Sequence, residues 1–322
     1  SFSAEIKRER LLPEQLYALR MLAARTFRYF YEGMNKDTHY LPPDNFQQRP
    51  FIGFADRTSA TNIGFGALAP LCAAYMRLIS PARALKMLEE TLSSIESLEK
   101  WHGNLYNWYR ISDLAPMEPK YVSSVDSGNF LCCLLACRGM LSDMLRHSIM
   151  DGRIKEGMRT LLMSIVDEKR MEQELYEHLR QYESAIAGAE KISSLCKALR
   201  GVIEDGRLDS VKGIKFVRDM YSGFEELYKN LGIEDACSAS LHEISMNPDN
   251  YFKDGVSKSR ALDYIARLNA AAAELQARID NIIEECELFR LYDPKKKLFS
   301  IGWDAQENKL SGHYYDLLAS ES

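Results

Sequence analysis

The sequence predicts a mostly helical, all-α protein. Apolar residues recur near a 3.6-residue period in the N-terminal third. Residues from about 150 to 290 read as long, charged, amphipathic helix without a single tryptophan. Strand-like alternation never extends beyond short pieces such as Lys297-Leu298-Phe299-Ser300-Ile301.

A first helix is predicted over Leu11 to Tyr31. Pro13 and Glu14 suit its first turn, Leu16, Leu19, Leu22, Ala23, Phe27 and Phe30 form its apolar stripe, and Gly33 ends it. Leu41-Pro42-Pro43-Asp44-Asn45 reads as a loop, because paired prolines and Asx residues favour turns. Thr58 to Leu78 is a second helix, with Ser59 or Thr61 as cap. Pro81 opens a third helix that runs to about Lys100. Residues 101–126 are irregular and aromatic, and Ser127 to about His147 is a buried helix. The stretch 150–285 is expected to be a helical bundle inserted into a unit formed by 1–149 and 286–322.

Several function classes are excluded or disfavoured. The 322 residues carry 41 basic and 46 acidic side chains, a formal net charge of −5. Nucleic-acid binding needs a clustered basic surface, so no nucleic-acid partner is expected. The densest basic run, Lys295-Lys296-Lys297, follows Asp293-Pro294 and reads as a solvated turn. The seven cysteines include Cys132, Cys133 and Cys137 in one apolar run, as small buried hydrophobes of a reduced protein would be. With no CxxC pair and scattered histidines, a zinc site is not expected. No stretch is long and apolar enough to span a membrane, so this segment needs no membrane contact.

Two apparent nucleotide motifs do not fit their context. Gly64-Phe65-Gly66-Ala67-Leu68-Ala69 matches GxGxxA but lies inside a helix with no preceding strand, where small residues mark close helix packing. Gly201 to Arg207 has the glycine spacing of a phosphate loop but lacks its Lys-Ser/Thr, and Glu204 and Asp205 would repel phosphate.

Four segments concentrate functional side chains. Phe54 to Asn62 gathers hydrogen-bonding groups just before a buried helix, more than one N-cap requires. Trp101 to Arg110 combines aromatic rings with Asn104 and Asn107, which fits either a glycan cleft or a cover on the end of a core. Tyr121 to Asn129 places Asp126 among small hydroxyls at the start of an apolar helix. It is either a first-turn acid favoured by the helix dipole or a carboxylate facing substrate hydroxyls. Phe299 to Asp304 and Ser311 to Glu321 add Trp303, Asp316 and Glu321. Asp316 and Glu321 are five residues apart and share no helix face, so each needs a carboxyl partner elsewhere for glycoside chemistry.

Five ordered motifs carry a resemblance: Thr58-Ser59-Ala60-Thr61-Asn62-Ile63-Gly64, Tyr106-Asn107-Trp108-Tyr109, Tyr121 to Asn129, Leu291-Tyr292-Asp293-Pro294 with Phe299-Ser300-Ile301-Gly302, and Tyr314 to Glu321. Together they resemble the first part of the middle, glucoamylase-like domain of cyclic β-1,2-glucan synthases. The resemblance covers nearly the whole chain, although the middle bundle matches only in helical character. It implies an incomplete (α/α)6-barrel of the glycoside-hydrolase type with a helical-bundle insertion. It implies retaining transglycosylation that closes linear β-1,2-glucan into rings, without metal or organic cofactor, on the cytoplasmic side of an inner-membrane protein. Glu321 matches the glutamate of the family's Leu-Leu-Ala-Ser-Glu segment and is the expected catalytic acid/base. Asn62, Asn107, Trp108, Asp126, Trp303 and Asp316 are the expected substrate-binding residues. The chain stops at Ser322, so the nucleophile and the remaining barrel helices are expected beyond it. The fragment alone is then expected to be inactive, with the rest of the barrel and other synthase domains as partners. The alternative is a non-catalytic glycan-binding or scaffolding module.

Overall fold

The computed structural model describes residues 11–144, 146, 153–167, 171–232 and 239–314. Asp316 and Glu321 lie outside the described residues. The predicted all-α class holds: ten helices dominate the described residues, and every strand is two or three residues long.

Helix α1 spans Pro13–Gly33, α2 Ala60–Tyr75, α3 Pro81–Ser97 and α4 Ser124–Met144. Their starts follow the sequence signals. Pro13 and Pro81 sit in first turns, where a missing N–H costs nothing. Ser59 caps α2 by accepting from the Asn62 N–H at 3.2 Å. Ser80 does the same for α3 through the Arg83 N–H at 3.4 Å.

Helices α2 and α4 lie side by side and run parallel. Thr61 meets Asp126 in their first turns. One to two turns on, a Cβ at Gly64 would lie 3.1 Å from both the Phe130 Cα and the Cys133 Cβ. At the far end Leu71, Ala74 and Tyr75 share a cavity with Ala136, Gly139 and Met140. The contacts thus advance in the same direction along both helices. The glycine-rich run of α2 is a packing surface: Gly64 faces α4, and Gly66 faces the Pro42 ring.

Helix α10, Gly255–Glu285, packs on both α3 and α4, while α3 packs on α2. The four helices form a two-by-two wall. Helices α5 (Arg153–Ser164), α6 (Gln173–Gly188), α7 (Ile192–Glu204) and α8 (Ile214–Leu231) contact one another in a cycle. Their core holds Tyr221, Phe216 and Phe224, all fully buried, and the Tyr221 hydroxyl donates to the Met158 carbonyl at 2.7 Å. The buried carboxylate Glu183 is paired by Arg159 and Arg180, as a desolvated charge requires. The cycle joins the wall where Gly157 of α5 presses on the Arg77 carbonyl, and where α1 rings Phe27 and Tyr31 meet Phe216. A short helix α9, Leu241–Met246, starts with a Ser240/Glu243 capping box.

Short strands line the end of the wall where α2 and α4 begin. They are β1 (Phe46–Gln47), β2 (Gly53–Phe54), β3 (Thr58–Ser59), β4 (Lys100–Trp101), β5 (Asn104–Leu105), β6 (Trp108–Tyr109) and β7 (Tyr121–Ser123). Near the C-terminus follow β8 (Tyr292–Asp293), β9 (Leu298–Phe299), β10 (Gly302–Asp304) and β11 (Lys309–Leu310). Strand β3 pairs antiparallel with β6, setting Ser59 opposite Trp108. Strand β10 pairs with both β7 and β11, so residues 302–304 return to the start of α4. The Lys295-Lys296-Lys297 run is a turn, with the Lys295 and Lys296 N–H groups donating to Asp293.

The close approach of α2 and α4 has a measurable consequence. Gly64→Val should lower stability by about 1–3 kcal/mol through overpacking. Urea denaturation would check this, and an unchanged midpoint would contradict the packing.

Candidate functional site

The site grows from the two adjacent N-termini. Helix α2 follows β3 and helix α4 follows β7, so the residues entering both helices arrive at one end of the wall. The Asn107 N–H donates to the Tyr121 carbonyl at 2.7 Å, tying the aromatic loop to β7. Fully buried Tyr109 holds that loop from below: its hydroxyl accepts from the Tyr106 N–H and donates to the Glu99 carbonyl. Buried Asn104 donates to the Trp101 and His102 carbonyls and accepts from the Cys286 thiol, which links the loop to the end of α10.

On this base the side chains close into a ring of contacts. The Thr61 hydroxyl donates to Asp126 Oδ1 at 2.5 Å. The Asn107 amide donates to Asp126 Oδ2 at 3.0 Å and accepts from the Trp108 indole N–H at 3.1 Å. The Arg57 guanidinium lies over the Trp108 ring, 5.1 Å from its centroid. Arg57 donates twice to Asp44 Oδ2, at 3.2 and 3.0 Å. Asn62 donates to Asp44 Oδ1 at 3.1 Å and, as the neighbour of Thr61, completes the circuit. Asn129 adds a donor to Thr61 at 3.3 Å from the solvent side.

Four predicted residues therefore come together: Asn62, Asn107, Trp108 and Asp126. Trp303 does not join them. It lies on β10 and stacks on Trp101, with ring centroids 4.8 Å apart. Asp44, Arg57, Thr61 and Asn129 complete the ring and were not among the expected binding residues. The signal for Asp44 was its place in an Asx-rich loop after paired prolines, which also reads as an ordinary turn. Asp126 is a first-turn acid of α4, as one of its two readings has it, and it is also a member of the ring.

The electrostatics favour charge rather than proton exchange at Asp44. Burial pushes its carboxyl up, but hydrogen bonds from Asn62, Arg57 and Asn45 outweigh burial and hold it below the ordinary value. Beside it, burial and the Asp44 charge push the Tyr29 phenol up to about 12, so it stays a donor, to the Pro43 carbonyl. The helix dipoles at both N-termini favour the Asp126 carboxylate. Among the described residues, no group of His, Cys, Asp and Glu is arranged to hold a metal ion. No described helix is long and apolar enough to cross a membrane. A concavity of about 1250 Å³ lies elsewhere, between Tyr17, Met21 and Arg25 of α1 and the segments around Val166 and Val211. It shares no residue with the ring, so convergent polar chemistry and not depth marks the candidate site.

Comparison with known proteins gives one full-length match. The chain is 31% identical over 336 aligned residues to cyclic β-(1,2)-glucan synthase NdvB of Rhizobium meliloti (strain 1021). The alignment takes in 100% of this chain and 11% of that protein. No family model matches the chain. Among solved structures, an endo-β-1,2-glucanase from Chitinophaga pinensis is similar over 48% of this chain and 38% of its own, at 16% identity and a TM-score of 0.36. A β-1,2-glucanase from Parabacteroides distasonis is similar over 48% of this chain and 22% of its own, at 19% identity and a TM-score of 0.34.

The Asp44 network sets a pH dependence. A carboxyl held below its ordinary value of 3.8 contributes stability that is whole above that value and is lost as pH falls through the lowered one. The stability difference between wild type and Asp44→Asn should therefore be flat at neutral pH and shrink as the solution is acidified below about pH 4. Denaturant titrations at stepped pH would check it, and a constant difference would contradict the network.

Proposed function

We propose that this chain, a relative over its whole length of one segment of cyclic β-(1,2)-glucan synthase, is part of a carbohydrate-active domain that handles β-1,2-glucan. The full-length match carries this reading, and the ring at the α2 and α4 N-termini supports it. The ring offers what a glucan needs: an aromatic face at Trp108, amides at Asn62 and Asn107, and carboxylates at Asp44 and Asp126. An aromatic face covers the C–H side of a pyranose, and the polar groups exchange hydrogen bonds with its hydroxyls.

The finer proposal is retaining transglycosylation. Glu321 acts as general acid, giving its proton to the oxygen of the bond that breaks while a nucleophilic carboxylate takes the sugar. Glu321 then acts as general base, taking the proton of a hydroxyl from the other end of the same glucan chain. That hydroxyl displaces the nucleophile, so the ring closes with retained configuration. The motif match of the Leu317-Leu318-Ala319-Ser320-Glu321 segment supports the assignment. Substrate binding falls to Asn62, Asn107, Trp108 and Asp126, with Trp303 and Asp316 as further candidates.

A second reading, glucan binding without catalysis, is favoured at the ring by one observation. The donors around Asp44 hold its carboxyl below the ordinary value, which suits a group that binds hydroxyls and disfavours it as a general acid. The chain spans only 11% of the length of the relative it matches. We infer that further helices of a larger domain cover the apolar faces of α2 and α4, where Phe65, Tyr75 and Leu135 are each about half exposed.

Two experiments test these proposals. In calorimetric titration the chain should bind linear β-1,2-glucan, and Trp108→Ala should weaken binding about tenfold. Equal heats with β-1,2- and β-1,3-glucan would overturn the substrate assignment. In the full-length synthase, Glu321→Gln should abolish cyclic products seen by mass spectrometry. Undiminished ring formation would remove Glu321 from the chemistry and leave the binding reading.

A further inference from the structure

The loop between α1 and α2 carries a feature that the ring does not use. Strands β1 and β2 pair antiparallel, Phe46 with Phe54 and Gln47 with Gly53, into a small hairpin. Its rings form a ladder of edge-on contacts leading outward from α1. Tyr29 meets Phe54 at 5.7 Å, Phe54 meets Phe46 at 4.8 Å, and Phe46 meets Phe51 at 6.1 Å between centroids. Exposure climbs along it: Phe46 is 39% exposed, Phe51 77% and Ile52 67%.

Folding does not explain the tip. A side chain as exposed as Phe51 adds little core, and exposing it to water costs free energy that a polar residue would avoid. Nor is the patch sized for a protein partner. A stable protein interface engages roughly 20–30 residues a side, whereas here a few apolar groups flank the run Gln47-Gln48-Arg49. Apolar faces beside amide and guanidinium donors suit a pyranose, which is apolar on its C–H faces and polar around its rim.

The hairpin is also continuous with the ring. Its stem closes through the Ala55 N–H on the Asn45 carbonyl at 3.0 Å and the Asp44 N–H on the Arg57 carbonyl at 2.8 Å. Asp44 and Arg57 are ring members, so the same backbone holds both. At about 3.3 Å per residue the tip reaches roughly 10 Å beyond the stem.

We propose that the Phe46–Phe54 hairpin is an outer platform of the glucan site, on which Phe51 and Ile52 stack against sugars of a long β-1,2-glucan whose nearer sugars occupy the ring. This rests on the glucan reading above and deepens it: the platform selects chain length. Short ligands fill the ring alone, and only longer chains reach the hairpin.

Calorimetry on the whole chain tests this with two probes, long linear β-1,2-glucan and the β-1,2-linked glucose disaccharide. Phe51→Ala should weaken the long glucan about fivefold, roughly 1 kcal/mol. It should leave disaccharide affinity and the melting temperature unchanged, and Phe51→Trp should retain long-chain affinity. If Phe51→Ala binds both probes like wild type while Trp108→Ala is weakened, the platform is overturned and the glucan reading stands. If wild type binds neither probe, both fail together. If Phe51→Ala instead abolishes concentration-dependent self-association with no effect on glucan, the hairpin is a contact between copies and the proposal is overturned.

Discussion

The hydrogen bond between Thr61 and Asp126 joins the first turns of two parallel helices, and the candidate site depends on that junction. Parallel neighbours place two positive dipole ends together, which is unfavourable unless negative charge lies between them. Asp126 supplies that charge and spends one carboxylate oxygen on each side, on Thr61 of α2 and on Asn107 of the aromatic loop. The helices come close enough because Gly64 has no side chain where it faces Phe130 and Cys133. A packing constraint in the helix interior thus sets the positions of groups at the helix ends.

Much of the wall was legible in the sequence, because its signals are local. Pro81, Ser59 and the 3.6-residue spacing of α1 mark elements whose caps and stripes sit within a few residues of each other. The packing role of Gly64 and Gly66 was legible for the same reason, since the run continues a helix that begins just after polar Thr58 and Ser59. The ring was legible only in part. Asn62, Asn107, Trp108 and Asp126 stand in motif-rich segments, but Asp44 and Arg57 enter through a loop whose prolines and Asx residues describe a turn equally well. What joins them to the site is the distant pairing of β3 with β6, and a two-residue strand leaves no periodicity to read. Trp303 shows the converse. Its sequence context looks like a sugar subsite, and in the structure it stacks on Trp101 of the separate β4–β5 pair, a contact that tertiary packing alone decides.

A ring so fully hydrogen-bonded still has capacity for ligand. An ionised carboxylate offers about four acceptor sites. Asp126 uses one on each oxygen within the ring, which leaves positions for hydroxyls without breaking an existing bond. The internal bonds instead fix the side chains in advance, so little rotamer freedom remains to be lost when a ligand binds. Arg57 over Trp108 works in the same way, holding the indole plane from one side.

The same helices present different chemistry along their length. Helix α2 carries Asn62 in its first turn, facing the Asp44 carboxylate, and exposes Phe65 and Tyr75 further along. Helix α4 likewise begins with Asp126 and later exposes Leu135. Polar groups cluster where unpaired backbone N–H groups and dipoles favour negative charge, and apolar groups lie where the backbone is satisfied within the helix. A polar site at the helix ends and an apolar surface along the helix sides can therefore coexist without competing for residues. That separation lets a site be assembled from loops and first turns while the helix sides remain free to pack.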